Sequence, residues 1–525
     1  MTPRAAIQQI GRMVRDDLRA GGLSAGAHSV GDMLVEQPEA LLLIVDLVAV
    51  EGRKKRPDEG MYQAYSFMLG QTLELLRQRG EAGQGHATAA IENVRASIAR
   101  EMRAGKIMPT SAVALTTAFS RAGIEVGEDV RGALDDTMFR FGADNPQLPI
   151  PDVAEMLKDL VDACEGDPFM IQTEFAGMTA AMPVELQLVM LGSLVLTDES
   201  ALREAAIGSL LSEAAIAGPV AQLIEAAAKR GLVSANSVSH LMLIRNWVPE
   251  ERRPAIDAII KAARSIGGAP ARRPSIQVRE LLMSERDGAG AQTIFAPIKE
   301  GRKHALASIL IKQGHGVRDA WVARSLGRDE VDDMLDHISA EMVVHEVTAE
   351  DITFLLSEAL AEGQAAGSPL PFGLVQAVTL MGLSDATPNG VSVEDLVASM
   401  LADADAKTID SKALERAVRG SGQWFTTNPQ LMSWFENGDD VAVAIKGKRK
   451  MDDRIAAIIE KVLEPKRRYW ASIIAWSAFA QRGSGESSGW ITMALVAREM
   501  VSARPLTDLP IARFIAAQTA AAASS

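Results

Sequence analysis

A single cysteine, Cys164, stands in 525 residues, so no disulfide can close within the chain. A reducing compartment, the cytoplasm, is the expected location. Aromatic residues make up only 4% of the sequence. The longest apolar run, Ala40 to Val50, is interrupted by Asp46. It is about half the roughly 20 residues that span a bilayer. The N-terminus, Met-Thr-Pro-Arg followed by Ile7, Ile10, Val14 and Leu18, carries charges throughout and has no signal-peptide core. No membrane partner is expected. Phosphate-cradling loops of the G-x-x-x-x-G-K-[ST] type, a G-x-G-x-x-G between strand and helix, and H-E-x-x-H are all missing, so no cofactor and no metal are expected. Basic charge is in deficit: 54 Lys and Arg against 68 Asp and Glu give a formal charge of −14. Such a field repels nucleic acid and anionic surfaces unless a local basic face overrides it.

Helix-spaced apolar residues are abundant. Ile7, Ile10, Val14 and Leu18 form one stripe, Val153, Met156, Leu157, Leu160 and Val161 another, and Ile455, Ile458, Ile459 and Val462 a third. Ala, Leu, Glu and Arg, all good helix formers, dominate these segments. Thr348-Ala-Glu-Asp351 ahead of Ile352 and Leu355 has capping-box spacing, and Asp58 can cap a helix through Met61, Tyr65 and Met68. Pro151 and Pro254 suit a first helical turn. Period-two alternation is scarce; Val343 to Val347 is the best short strand candidate. The predicted fold is all-α, a multi-helix α-solenoid-like array with a more compact helical C-terminal part.

Proline-rich and glycine-rich linkers at 142–151 and 266–275 punctuate the chain, with a looser break over 363–391. They suggest an N-terminal helical region over 1–141, helical repeats over 152–265, a helical region over 276–404 and an aromatic-rich helical C-terminal region over 405–525. Three segments, 118–134, 226–242 and 310–326, share a helix–Gly–link–helix spacing around Gly123, Gly231 and Gly314. The run Asp198-Glu-Ser-Ala-Leu202-Arg203-Glu-Ala-Ala206, within residues 180–265, resembles the second helix of HEAT-type repeats. That resemblance implies stacked helical hairpins, an Asp–Arg ladder between repeats and a scaffold that holds a partner.

Complete catalytic constellations are missing. Gly485-Glu-Ser487-Ser-Gly489 matches G-x-S-x-G, but a helical run precedes it where a nucleophile elbow needs a strand, and no histidine follows. Asp329, Asp333, His337, Glu341 and His345 repeat every four residues, a spacing that could present metal ligands on one helix face. Val331, Leu335, Ile338 and Met342 define a core face pointing elsewhere, so this ladder reads as solvated. Cys164 lies among Glu165 and Asp167, surroundings that disfavour a reactive thiolate.

The stretch 446–468 departs from the acidic whole, with nine basic residues against four acidic ones. Trp424, Trp434, Tyr469, Trp470, Trp476 and Trp490 crowd the same region. Candidate partner-binding residues are Lys446, Lys448, Arg449, Lys450, Arg467, Arg468, Trp424 and Trp434. The expected function is a non-enzymatic scaffold or adaptor that binds a protein partner. The alternative is a nucleic-acid-associated protein, in which the cations hold phosphates and the aromatics stack on bases. A third possibility is an enzyme whose site assembles from separated helices.

Overall fold

A computed structural model describes residues 2–20, 22, 24–144, 153–180, 182–266, 276–402, 404, 409–426, 428–483 and 489–523. Helix dominates them, as the periodicity predicts. The chain divides into two compact units, residues 1–202 and 203–525. No described helix is long and apolar enough to cross a membrane.

The first unit is entirely helical among its described residues. Its centre is the helix Glu59–Glu81, capped by the Asp58 carboxylate, which accepts from the Gly60 amide at 3.0 Å. Met61, Ala64, Tyr65, Met68, Leu69, Thr72, Leu73 and Leu76 are its buried residues, the three-and-four rhythm of one helix face. The helices Pro3–Arg19, Val30–Val35, Gly85–Arg103 and Pro109–Arg121 pack around it.

The second unit begins with the helices Ala214–Lys229, Ala235–Trp247 and Arg253–Ser265. Pro254 lies in the first turn of the last of these, as predicted, whereas Pro151 lies outside the described residues. Arg203 donates through Nε to the Leu232 carbonyl at 3.0 Å, just beyond the C-terminal end of Ala214–Lys229.

A six-stranded antiparallel sheet corrects the expectation that 276–404 is helical throughout. Its strands are β1 (Ile276–Val278), β2 (Leu282–Ser284), β3 (Ala291–Glu300), β4 (Lys303–Lys312), β5 (Gly316–Leu326) and β6 (Val344–Glu346). The order is β5-β4-β3-β2-β6, with β1 also pairing with β3. The third supposed helical hairpin, 310–326, is instead the β4–β5 turn. Gly314 does adopt a left-handed φ of +78°, as do Gly123 and Gly231, but here between strands. The physical reason is burial. Ala305 to Ile309 are all buried, so β4 has no polar alternation to distinguish it from a buried helix. The strand candidate at 343–347 is β6, which pairs with β2.

The outer edge of β5 is covered. Asp319 accepts the Ala320 amide at 2.9 Å, and Gly373 opens a helix (Gly373–Met381) so close that a Cβ there would lie 2.0 Å from the Ala320 carbonyl oxygen. Blocking an edge in this way prevents stray strand pairing. The predicted capping box is present on the helix Ala349–Ala366: the Asp351 amide donates to Thr348 Oγ1 and the Thr348 amide to Asp351 Oδ2, both at 3.1 Å. Thr348→Ala should cost about 1 kcal/mol, read as a lower chemical-denaturation midpoint with unchanged m.

Candidate partner-binding site

The basic segment joins two short helices, Asp439–Ile445 and Met451–Ile458. The connection turns at Gly447, whose φ of +77° suits a residue without a Cβ. Lys450 is extended and caps the second helix, and the Lys448 amide donates to the Ile445 carbonyl at 3.0 Å. A π-helical turn, Ile459–Leu463, follows, and then the buried helix Arg467–Gly483.

Apart from Arg454 and Lys461, the cations in this region fall into two groups. One is engaged internally. Lys466 bridges Glu436 at 2.7 Å and Asp440 at 3.1 Å. Burial opposes charging its amine, but these two carboxylates overcome that and hold its pKa above the usual lysine value. Arg467 donates to the carbonyls of Met500 and Arg504 and to Glu464. Arg468 grips Glu394 with two nitrogens, each at 2.7 Å. Arg513 pairs with Asp452 at 2.8 Å.

The other group is Lys446, Lys448, Arg449 and Lys450, which make no ion pair among the described residues. Lys446, Arg449 and Lys450 are exposed and Lys448 is half-buried. Two exposed apolar side chains flank them, Val443 at 73% and Met451 at 48%. The structure therefore keeps four of the predicted contact residues on one loop and withdraws Arg467 into internal bonds, while Arg468 stays exposed in a surface pair with Glu394.

It withdraws Trp434 as well, which is fully buried. Its indole Nε1 donates to the Arg286 carbonyl at 3.1 Å, and its ring lies 6.2 Å from that of Trp470. Trp424 is half-buried. Trp470 and Trp476 are core residues too, as their helical spacing with Ile473, Ile474 and Phe479 suggests, so these rings are not open for bases to stack on. They are buried because the helix Arg467–Gly483 turns one apolar face to β2 and β6 and packs another against the helix Gly489–Val501.

A buried polar cluster beneath this region was not legible in the sequence. Glu285 and Arg286 follow β2 and are almost wholly buried. Glu285 accepts from His345 Nε2 at 3.0 Å, from Gln481 Nε2 at 2.9 Å and from Asn428 Nδ2. Arg286 donates through Nε to Gln292 at 3.1 Å and through Nη1 to Gln313 at 3.1 Å and Ser472 at 3.3 Å. Its guanidinium lies over the Trp476 ring at 5.0 Å. Burial pulls its pKa down to about 10, which leaves it charged at neutral pH. Burial pushes the Tyr469 hydroxyl in the opposite sense, above its usual range, and it donates to the Gly288 carbonyl at 3.3 Å. With both Glu285 oxygens engaged, the cluster ties strand, helix and loop together rather than presenting a reactive group. Three charged residues in a row, Glu285-Arg286-Asp287, look in sequence like a solvated turn.

The Asp333, His337, Glu341 ladder lies exposed on the helix Arg328–Glu341, with His337 Nδ1 2.7 Å from the Asp333 carbonyl. His345 leaves the ladder because the helix ends at Glu341 and His345 belongs to β6. Among the described residues no group of three or more His, Cys, Asp or Glu is placed to hold a metal ion. Ser487 and its G-x-S-x-G setting lie outside the described residues; the run before it is the buried helix Arg467–Gly483. Burial and the acids Glu174 and Asp167 raise the Cys164 thiol pKa, which keeps it protonated.

Fold and site together define a mainly helical protein whose C-terminal segment closes on a small antiparallel sheet and carries an unpaired cationic loop. In sequence the chain matches, in order, three family models: the y4lR N-terminal domain over 6–126, the y4lR second domain over 183–267 and the y4lR C-terminal helical domain over 394–524. The second covers the stretch that resembles HEAT repeats, and the third contains the cationic loop. The uncharacterized protein y4lR of Sinorhizobium fredii (strain NBRC 101917 / NGR234) is 26% identical over 466 residues, 86% of this chain and 87% of its own. No solved structure matches.

Proposed function

We propose that the chain is a non-enzymatic scaffold or adaptor that holds an acidic protein partner at the loop Lys446–Lys450. The observation that supports this most directly is the contrast between the two groups of cations. Lys466, Arg467, Arg468 and Arg513 are matched by internal acceptors, whereas the four loop cations are not. Like charges held close on one loop repel one another, and an opposing surface relieves that repulsion while fixing register. Exposed Val443 and Met451 add apolar contact beside the charges. The packed helices Ala214–Lys229, Ala235–Trp247 and Arg253–Ser265 fit a scaffold, and buried Cys164 fits the reducing cytoplasm.

The test is recovery of the full-length protein from its own cells, as wild type and as the triple variant Lys448→Glu, Arg449→Glu, Lys450→Glu. A stoichiometric protein partner should survive nuclease, weaken as salt rises, and bind the triple variant about tenfold or more weakly. The loop is exposed, so the variant should keep its thermal transition. Undiminished binding by the triple variant would sink the assignment of the site. Material lost on nuclease treatment would promote the nucleic-acid reading, whose base-stacking support the burial of Trp434, Trp470 and Trp476 weakens.

A further inference from the structure

The helix Pro510–Ala522 buries Ile511, Ala512, Ile515, Ala516, Thr519 and Ala520. Arg513, Phe514, Ala517 and Gln518 form the remaining arc, about 140° wide. Three separate segments are fastened to that arc. Arg513 is exposed and pairs at 2.8 Å with Asp452, at the foot of the cationic loop. The Phe514 ring stacks on that of Phe425, with centroids 4.6 Å apart and planes 3° from parallel. Gln518 donates through Nε2 to the Met432 sulfur at 3.4 Å. Phe425 is 37% and Met432 49% exposed. Met451, beside Asp452 in the chain, is exposed as well. The outer face of this helix is therefore bordered by exposed apolar side chains on both edges.

Beyond Phe425 lies a second group of cations. The helix Ser411–Gly420 ends where Ser421 accepts the Ile511 amide on its Oγ at 3.2 Å, which sets it against the first turn of Pro510–Ala522. Ala413, Ala417 and Val418 are its buried residues. Lys412, Arg416 and Arg419, spaced by four and three, share the opposite face and are exposed. None of them makes an ion pair among the described residues, and the acids beside them are engaged. Asp410 caps the helix by accepting the Ala413 amide at 2.6 Å, and Glu415 pairs with Arg504. Beside the loop, Asp440 and Asp452 are likewise held, by Lys466 and Arg513. Asp453, exposed there, offsets one of the loop's four charges.

The surface thus has an apolar, methionine-rich and aromatic centre with excess positive charge on two sides. An apolar centre inside a charged rim is the anatomy of a protein interface. The stripe 412–416–419 has the spacing of one helix face, so carboxylates repeated at three and four along a partner helix can meet it. Stacked bases fit less well. One face of the Phe425 ring is already taken by Phe514, and Met432 and Met451 offer no plane to stack on.

We propose that this face binds an amphipathic α-helix whose apolar stripe runs between acidic flanks. The stripe covers Phe425, Met432 and Met451. One flank meets Lys446–Lys450 and the other meets Lys412, Arg416 and Arg419. The inference rests on the reading of the loop as the site of an acidic protein partner, and it gives that partner its form.

The probe is a synthetic amphipathic helical peptide with leucines along one stripe and glutamates on both flanks, titrated at low salt against the full-length protein. Binding should saturate and weaken as salt rises. The triple variant Lys412→Glu, Arg416→Glu, Arg419→Glu should bind at least about tenfold more weakly, and so should the loop triple variant. Phe425→Ala with Met432→Ala should also lose about tenfold. The substituted positions are exposed, so each variant should keep the wild-type thermal transition. A peptide with serines in place of the leucines should bind far more weakly; equal binding would overturn the apolar centre and the proposal with it. A single-stranded oligonucleotide that bound more tightly than the peptide would overturn it in favour of nucleic acid. Loss in the loop variant alone would overturn this inference and leave the loop reading standing. Loss in the Lys412, Arg416, Arg419 variant alone would overturn both. Absence of peptide binding, with a protein partner still recovered through the loop, would overturn this inference only.

Discussion

Arg286→Ala is expected to destabilise the second unit by about 3–5 kcal/mol, as measured by chemical denaturation. Three acceptors depend on that one side chain. Removal leaves the amide oxygens of Gln292 and Gln313 and the hydroxyl of Ser472 without its donors. A buried polar group stripped of its partner costs about 1–3 kcal/mol. The truncation also opens a cavity under Trp476, whose ring the guanidinium now covers. One contribution runs the other way. Arg286 is a buried charge pulled down to about 10, and no carboxylate touches it among the described residues, so removing it recovers desolvation free energy. Arg286→Met separates these effects: it fills most of the cavity, removes the charge and still leaves the acceptors unpaired. Its expected loss is smaller than that of Arg286→Ala. Equal losses would mean that the orphaned acceptors, not the cavity, set the cost. A loss below about 1 kcal/mol for Arg286→Ala would show that the network contributes little to stability.

The same residue illustrates why the buried cluster cannot be read in sequence. Its side-chain partners lie at 292, 313 and 472, its amide donates to Ser477, and its carbonyl accepts from Trp434. Apart from the short step to Gln292, those separations run from 27 to 191 residues, so these pairings exist only once the fold brings the elements together. Local signals fared better. The caps at Asp58 and Thr348 need only residues within one turn, and both are present. Helices with one wet face were legible for the same reason, because water on one side imprints the 3.6 period. β3 and β4 were not, because partners on both faces erase alternation. The cationic loop sits between these cases. Composition located it, but which cations remain unpaired depends on Glu394, Met500 and Arg504, all more than thirty residues from the arginines they engage.

Gly288→Ala should be as damaging as the loss of Arg286, at about 3 kcal/mol or more, through a different cause. A Cβ at Gly288 would lie 1.9 Å from the Ser433 carbonyl oxygen, 2.7 Å from its carbon and 2.9 Å from the Trp434 Cα. Every one of those atoms is backbone, so no side chain can swing aside to make room. The two segments are also fastened where they meet: the Gly288 amide donates to Ser433 Oγ at 3.1 Å, and its carbonyl accepts from Tyr469. Separating them far enough for a methyl group breaks the first of these bonds and carries Trp434 away from the Arg286 carbonyl. Trp434 is fully buried, so the movement should also change its spectroscopic environment. The expected result is a lower denaturation midpoint together with an altered near-ultraviolet circular dichroism band, while far-ultraviolet helical signal persists at low temperature. Trp434→Phe in the Gly288→Ala background separates the two consequences. It removes the indole donor, so if loss of that hydrogen bond is already part of the glycine variant's cost, the second substitution should add less than it does in the wild type. Full additivity would place the strain elsewhere along 429–433 and leave the Trp434 contact intact.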